Sequence, residues 1–195
     1  MPGWRALLRF ALVLAVLLCA DRSWGEALQQ AALPGVRLVM QWWDDTYRLE
    51  DLGLFRVGAD RVVGVSVSLA RCVVMEGLAV CPDAHKGLAQ ASTLAGSVDL
   101  VLILMGALVW SWPVHQRQEY AWRLVAGVPV VLLIWSVDVP LILWGAIWSL
   151  HHDAYVPTSW SPLLAWVDFI KSGGRLALTG LGGAAVITWG QVMSR

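Results

Sequence analysis

Charge is what this sequence has least of. Lys, Arg, Asp and Glu supply 14% of its 195 residues, and 14 cations balance 14 anions. A soluble domain normally carries about 25% charge. With no net charge and no basic cluster, nucleic acid is not an expected partner. Catalytic signatures are missing as well. There is no Gly-x-Ser-x-Gly, His-Glu-x-x-His or Ser/Lys arrangement, and "KSGGR" lacks the spacing of a phosphate loop. Three cysteines are too few to name a nucleophile. No cofactor is implied, and the sequence leans away from an enzyme.

What is present is apolar. Hydrophobic residues make up 58% of the chain, gathered in long blocks near the start and through the second half. Thirteen Trp against three Phe and three Tyr suit a chain with many bilayer-interface positions, where an indole is half apolar and half hydrogen-bonded. The pattern reads as a multi-pass protein of the cytoplasmic (inner) membrane, with the lipid bilayer as its first partner.

Residues 1–25 have the three-part layout of a signal peptide. Arg5 and Arg9 precede an apolar core from Phe10 to Ala20, and small Ser23 and Gly25 stand at minus three and minus one of a cut after Gly25. The alternative is an uncleaved signal anchor reaching back to Leu7 across Arg9. Leu18 is too large for Cys19 to follow a lipoprotein cleavage site. Either way, residues 26–93 are expected outside the cytoplasm as a small extracytoplasmic α+β domain. "PGVRLVMQWWDDTYRLE" opens as a short amphipathic helix with Pro34 in its first turn. "DRVVGVSVSLARCVV" then alternates, with Val63, Val65, Val67 and Leu69 on one side of a strand. Gly64, Ser66, Ser68 and Ala70 take the other.

"CVVMEGLAVC" places Cys72 and Cys81 symmetrically about Glu76-Gly77. A two-residue turn there sets Val73 against Val80, Val74 against Ala79 and Met75 against Leu78. The cysteines then form a non-hydrogen-bonded pair, with alpha carbons about 4.5 Å apart. That is within disulfide reach, so a cross-strand disulfide in an oxidising compartment is predicted.

Residues 94–195 are read as a membrane α-helical region with three transmembrane helices, at about 94–114, 124–150 and 176–193. Arg117, Arg123 and Arg195 fall on the cytoplasmic side. The 151–175 loop, with Lys171 and Arg175, falls outside, and "SPLLAWVDFI" within it is a short interfacial helix anchored by Trp160 and Trp166.

Two acids stand inside these spans, Asp99 and Asp138, with no Lys or Arg to pair with either. A charged Asp at the bilayer centre costs at least about 2.5–3.5 kcal/mol, so a neutral, hydrogen-bonded acid facing other helices is expected. Helical periodicity agrees. Asp138 shares a stripe with Gly127, Ile134, Gly145 and Ser149, and Asp99 shares one with Ser92, Gly96 and Gly106. Small faces are where membrane helices approach, and Gly180 and Ala184 give the last span a similar face. Pro140 frees the Ser136 carbonyl beside Asp138. His151, His152 and Asp153 are weak metal candidates, better read as a solvated helix end, because adjacent histidines on a helix diverge by about 100°. The expected role is a non-catalytic accessory or assembly subunit of a cell-envelope complex, with a membrane-protein partner or as a homo-oligomer. The alternative is a proton- or ion-coupled component using Asp138 and Asp99.

Overall fold

A computed structural model describes residues 3–43, 45–75, 78–81, 88–114, 116–155 and 160–194. The chain is mostly helical with a small three-stranded sheet. Among the described residues, two helices are long and apolar enough to cross a membrane. The chain divides into two units. The first holds the chain through Leu28, Ser97–Trp135 and the chain from Gly173 onward; the second holds Gln29–Gly96 and Ser136–Ser172.

The N-terminal segment is a single 41-residue helix, α1 (Gly3–Trp43), with Pro34 in its interior. This corrects the expectation of a separate short helix opening at Pro34. Residues 26–33, "EALQQAAL", are strong helix formers. They carry the helix past Gly25, and the proline then removes only one backbone bond.

In the second unit, β1 (Tyr47–Val57) and β2 (Asp60–Leu69) form an antiparallel hairpin across Gly58-Ala59. Gly58, at φ 64°, supplies the positive dihedral that two-residue hairpin turns need at their first central position. β5 (Ala89–Leu94) pairs with the other edge of β2, giving the order β1-β2-β5. The alternation read from β2 holds for its centre. Val63, Val65 and Val67 are buried and Leu69 is half-buried. Gly64 on the opposite face is covered by Phe55, whose ring would lie 2.7 Å from an added Cβ. The strand stops at Leu69 instead of running into Val74. β3 (Val73–Met75) and β4 (Leu78–Val80) form their own two-stranded ladder. Its pairs are Val73↔Val80, Val74↔Ala79 and Met75↔Leu78. Cys72 and Cys81 are joined, with alpha carbons 4.0 Å apart; the Glu76-Gly77 turn lies outside the described residues.

β5 passes straight into α2 (Ala95–Ser111), a 17-residue helix. Ser92 is therefore a strand residue and leaves the helical stripe assigned to it. Pro113 and the preceding Trp112 end α2, because proline has no N–H and disfavours helix in the residue before it. α3 (Arg117–Tyr155) is 39 residues long and contributes to both units. α4 (Pro162–Phe169) is a short helix with proline at its first turn, as "SPLLAWVDFI" predicted. A wide turn, Ile170–Gly174, leads into α5 (Arg175–Met193). Gly173 at φ 114° makes the bend in a region closed to ordinary side chains.

In the first unit, Gly127 of α3 meets Met105 of α2 and Val186 of α5 at 3.9 Å, and Gly183 of α5 lies against Leu108. Met105, Val109, Val186 and Ile187 form the buried core there. Gly106 approaches Leu17 of α1 to 3.1 Å, counted from the position of an added Cβ. The second unit buries Val36 and Met40 of α1, the β2 valines, Leu143 and Ile147 of α3, and Val167. Gly145 sits so close to Val167 that any side chain there would collide with it.

Gly145→Leu is expected to destabilise the protein by about 1–3 kcal/mol, the usual cost of overpacking, and to lower its unfolding midpoint in detergent. Gly180→Leu, with nothing within 4 Å of the added Cβ, should leave that midpoint in place. Thiol counting offers a separate check on the hairpin. Exposed Cys19 should be the one cysteine that labels without reductant, and all three cysteines should label after reduction and unfolding.

Candidate functional site

Among the described residues, one of the most completely buried polar groups lies at the start of α3, in the segment that the sequence placed on the cytoplasmic side. Arg123 and Glu119 are each 1% exposed and form an i,i+4 ion pair on the first turns of α3. One guanidinium nitrogen, Nη1, donates to the carbonyls of Val109 at 2.8 Å and Trp112 at 3.0 Å. The other, Nη2, donates to the Pro113 carbonyl at 3.0 Å and to Glu119 Oε1. One acceptor, the Val109 carbonyl, is in the last turn of α2 and would otherwise face Pro113, which has no N–H. The Trp112 and Pro113 carbonyls follow just beyond the helix. A cation there complements the negative end of the helix dipole, and Glu119 complements the positive end of α3. Gly190 of α5 completes the enclosure, since an added Cβ would lie 2.6 Å from Arg123 Cγ. The readable signal was Glu-x-x-x-Arg just beyond Pro113.

A second polar group gathers at the amino ends of α2 and α5. Asp99 is 2% exposed. The Trp135 indole donates to the Val98 carbonyl at 3.1 Å, and Arg175 Nη1 donates to the Ser97 carbonyl at 2.9 Å. Thr179, also buried, donates to the Arg175 carbonyl at 2.7 Å. Arg175 is therefore the first residue of α5 and engaged with α2, not part of an outer loop. The expectation that no cation lies within the apolar helices is corrected at both Arg123 and Arg175. Helices longer than the apolar runs take in the flanking arginines.

Asp138 is 1% exposed and belongs to the second unit, within the buried stretch of α3 that includes Val139 and Pro140. Further along, Tyr47 packs its ring 5.1 Å from that of Trp144 and 5.5 Å from that of His151. Its hydroxyl lies 3.3 Å from His151 Nδ1, which is also 3.1 Å from the Ile147 carbonyl. His152 is buried and points elsewhere, with Nδ1 3.8 Å from Asp153 Oδ1. The two histidines diverge as helix geometry requires; His151 is half-buried as well, so of the three only Asp153 keeps the solvated position expected of a helix end. Among the described residues, no three His, Cys, Asp or Glu side chains converge to hold a metal ion.

The small-residue positions divide. Gly106, Gly127 and Gly145 face side chains, whereas Gly96 and Gly180 face open space and Ala184 is exposed. On α5 the packed face is instead Thr179, Gly183, Val186, Ile187 and Gly190, about 100° round from Gly180 and Ala184. An apolar cleft of about 340 Å³ runs along the first unit, with Leu17, Met105, Gly106 and Val131 among its walls.

Arg123→Met should destabilise the chain by about 3–5 kcal/mol, because it leaves Glu119 buried without its cation. The double variant Glu119→Gln/Arg123→Met should recover part of that loss. Chemical unfolding in detergent measures both.

The chain matches no protein family, and no curated protein or solved structure is significantly similar to it.

Proposed function

We propose that this chain is a non-catalytic accessory or assembly subunit of a cell-envelope membrane complex, held in the cytoplasmic membrane by α2, α3 and α5. One observation carries the reading. Buried Arg123 is spent on three backbone carbonyls and Glu119, and half-buried Arg175 donates to the Ser97 carbonyl. Polar groups used this way fix helix ends and leave no donor array for a substrate. In lipid, where water does not solvate backbone carbonyls, such bonds are what a helix end requires.

Residues 26–93 face the exterior in this reading. The Cys72–Cys81 link supports that side, since an oxidising compartment preserves it. The partner is another membrane protein or a second copy. The face it would meet includes exposed Gly180 and Ala184 on α5, a four-residue spacing that lets a neighbouring backbone approach.

Copurification from native membranes tests the proposal. A stoichiometric membrane-protein partner, or a defined homo-oligomer, that is lost on Gly180→Leu/Ala184→Leu is the expected result. Retention of the complex by that variant would remove the α5 face, and a solitary monomer would remove the assembly role. Asp138→Asn should leave both assembly and the complex's activity intact. Loss of pH-linked activity alone would favour proton handling instead.

A further inference from the structure

We propose that the apolar cleft of the first unit holds one acyl chain of a membrane phospholipid, whose ester carbonyl oxygen accepts a hydrogen bond from Arg123 Nε. The proposal rests on the membrane reading above and adds a ligand to it. Every residue of the cleft wall belongs to the first unit.

The guanidinium sets the chemistry. Arginine carries five N–H donors. Nη1 and Nη2 place theirs on the carbonyls of Val109, Trp112 and Pro113 and on Glu119. The remaining donor, on Nε, is buried and meets no acceptor among the described residues. Arg123 is 1% exposed and stands in the cleft wall, where it is the one charged side chain among the described residues. Trp135, also in the wall, has its indole N–H on the Val98 carbonyl. A buried donor without an acceptor is costly where no water reaches it. Glu119 already balances the cation, so the fitting partner is a neutral carbonyl and not a phosphate or carboxylate.

The shape suits a single hydrocarbon chain. Arg123 and Trp135 bound the α3 side of the cleft, which gives it a length of about 18 Å at the helical rise. One leaflet contributes about half of the roughly 30 Å hydrocarbon core, so an acyl chain running inward from its ester matches that length. A volume of about 340 Å³ over this length leaves a mean section of about 19 Å². A helix about 10 Å across does not enter such a space, whereas an unbranched chain of methylenes does. Gly106 of α2 and Gly127 of α3 widen the cleft by presenting no side chain, and Leu124, Val128 and Leu132 on its α3 side are more than half exposed.

The donor also sits where an ester would be. Arg123 holds the carbonyl of Trp112, and Tyr120 and Trp122 lie within one turn of it on α3; all three aromatics are exposed. Such residues mark the headgroup level of a bilayer. Apolar walls alone select no lipid, because acyl chains are as apolar as leucine. Selection comes from the donor at the cleft's end, and the lipid's second chain stays in the bilayer.

Native mass spectrometry of the full chain in detergent, titrated with dioleoyl phosphatidylethanolamine, tests this. A saturable one-to-one adduct is expected. The diether analogue, with the same head group and chains but no ester carbonyl, should bind about tenfold more weakly. Val128→Trp, which sets a ring at the exposed lip of the cleft, should abolish the adduct while leaving the unfolding midpoint in place. If it lowers the midpoint, Leu132→Trp takes its role. No saturable adduct, equal binding of ester and ether lipids, or full binding by the folded tryptophan variant would each overturn the proposal. Carbonate extraction of the source membranes reads the membrane assignment separately. Release of the chain would defeat the membrane reading, whereas a retained chain without the adduct defeats only the lipid site.

Discussion

The bond on which the first unit most depends is the one that ties the end of α2 to the start of α3. Pro113 stops α2, leaves the Val109 carbonyl without its i+4 donor, and opens a turn whose carbonyls at Trp112 and Pro113 have no helix to serve them. Arg123 supplies donors from one rigid fork, while Glu119 balances its charge. Lysine could not replace it, because three acceptors and a carboxylate need the planar array of N–H groups that a guanidinium offers. The position of α5 follows from the same clamp. Gly190 lets that helix lie against Arg123 and the Glu119 carbonyl, and Gly183 and Gly127 continue the close approach toward the other end.

The second unit is built on a different economy of space. The β2 valines give it one apolar face, and Gly145 admits Val167 where any side chain would exclude it. Phe55 covers Gly64 on the sheet's other face. Tyr47, Trp144 and His151 close the region with ring contacts and a polar tip on each of Tyr47 and His151. These are packing and positioning features.

The two acids show how function depends on where a helix is, beyond what it contains. By sequence, Asp138 sits near the middle of a long apolar run and resembles an intramembrane proton site. The structure places it in the unit that holds the sheet. A carboxylate in protein core can be satisfied locally and need not mark a transmembrane path. Asp99 stands on the second turn of α2, in the company of Arg175 and Trp135 near the helix end.

Local rules made several features legible. Alternating valines announced the strand, the symmetry of "CVVMEGLAVC" fixed the hairpin register, and "SPLLAWVDFI" read as a short helix. Apolar blocks located α2, α3 and α5, since burial away from water is written in composition. Helix extent was not legible at Gly25 or Arg117, because strong helix formers carry a helix past the apolar run that flags it. Nor was the packed face of α5, where a one-residue difference rotates the contact by about 100°. The sequence by itself determined the apolar helical class, the cysteine pairing and which residues were polar. Only the tertiary structure decided that Arg123 is buried, that Gly183 and not Gly180 meets a neighbour, and that Asp138 shares a unit with the sheet. Each of those depends on a group distant in the chain, and periodicity within one segment carries no information about it.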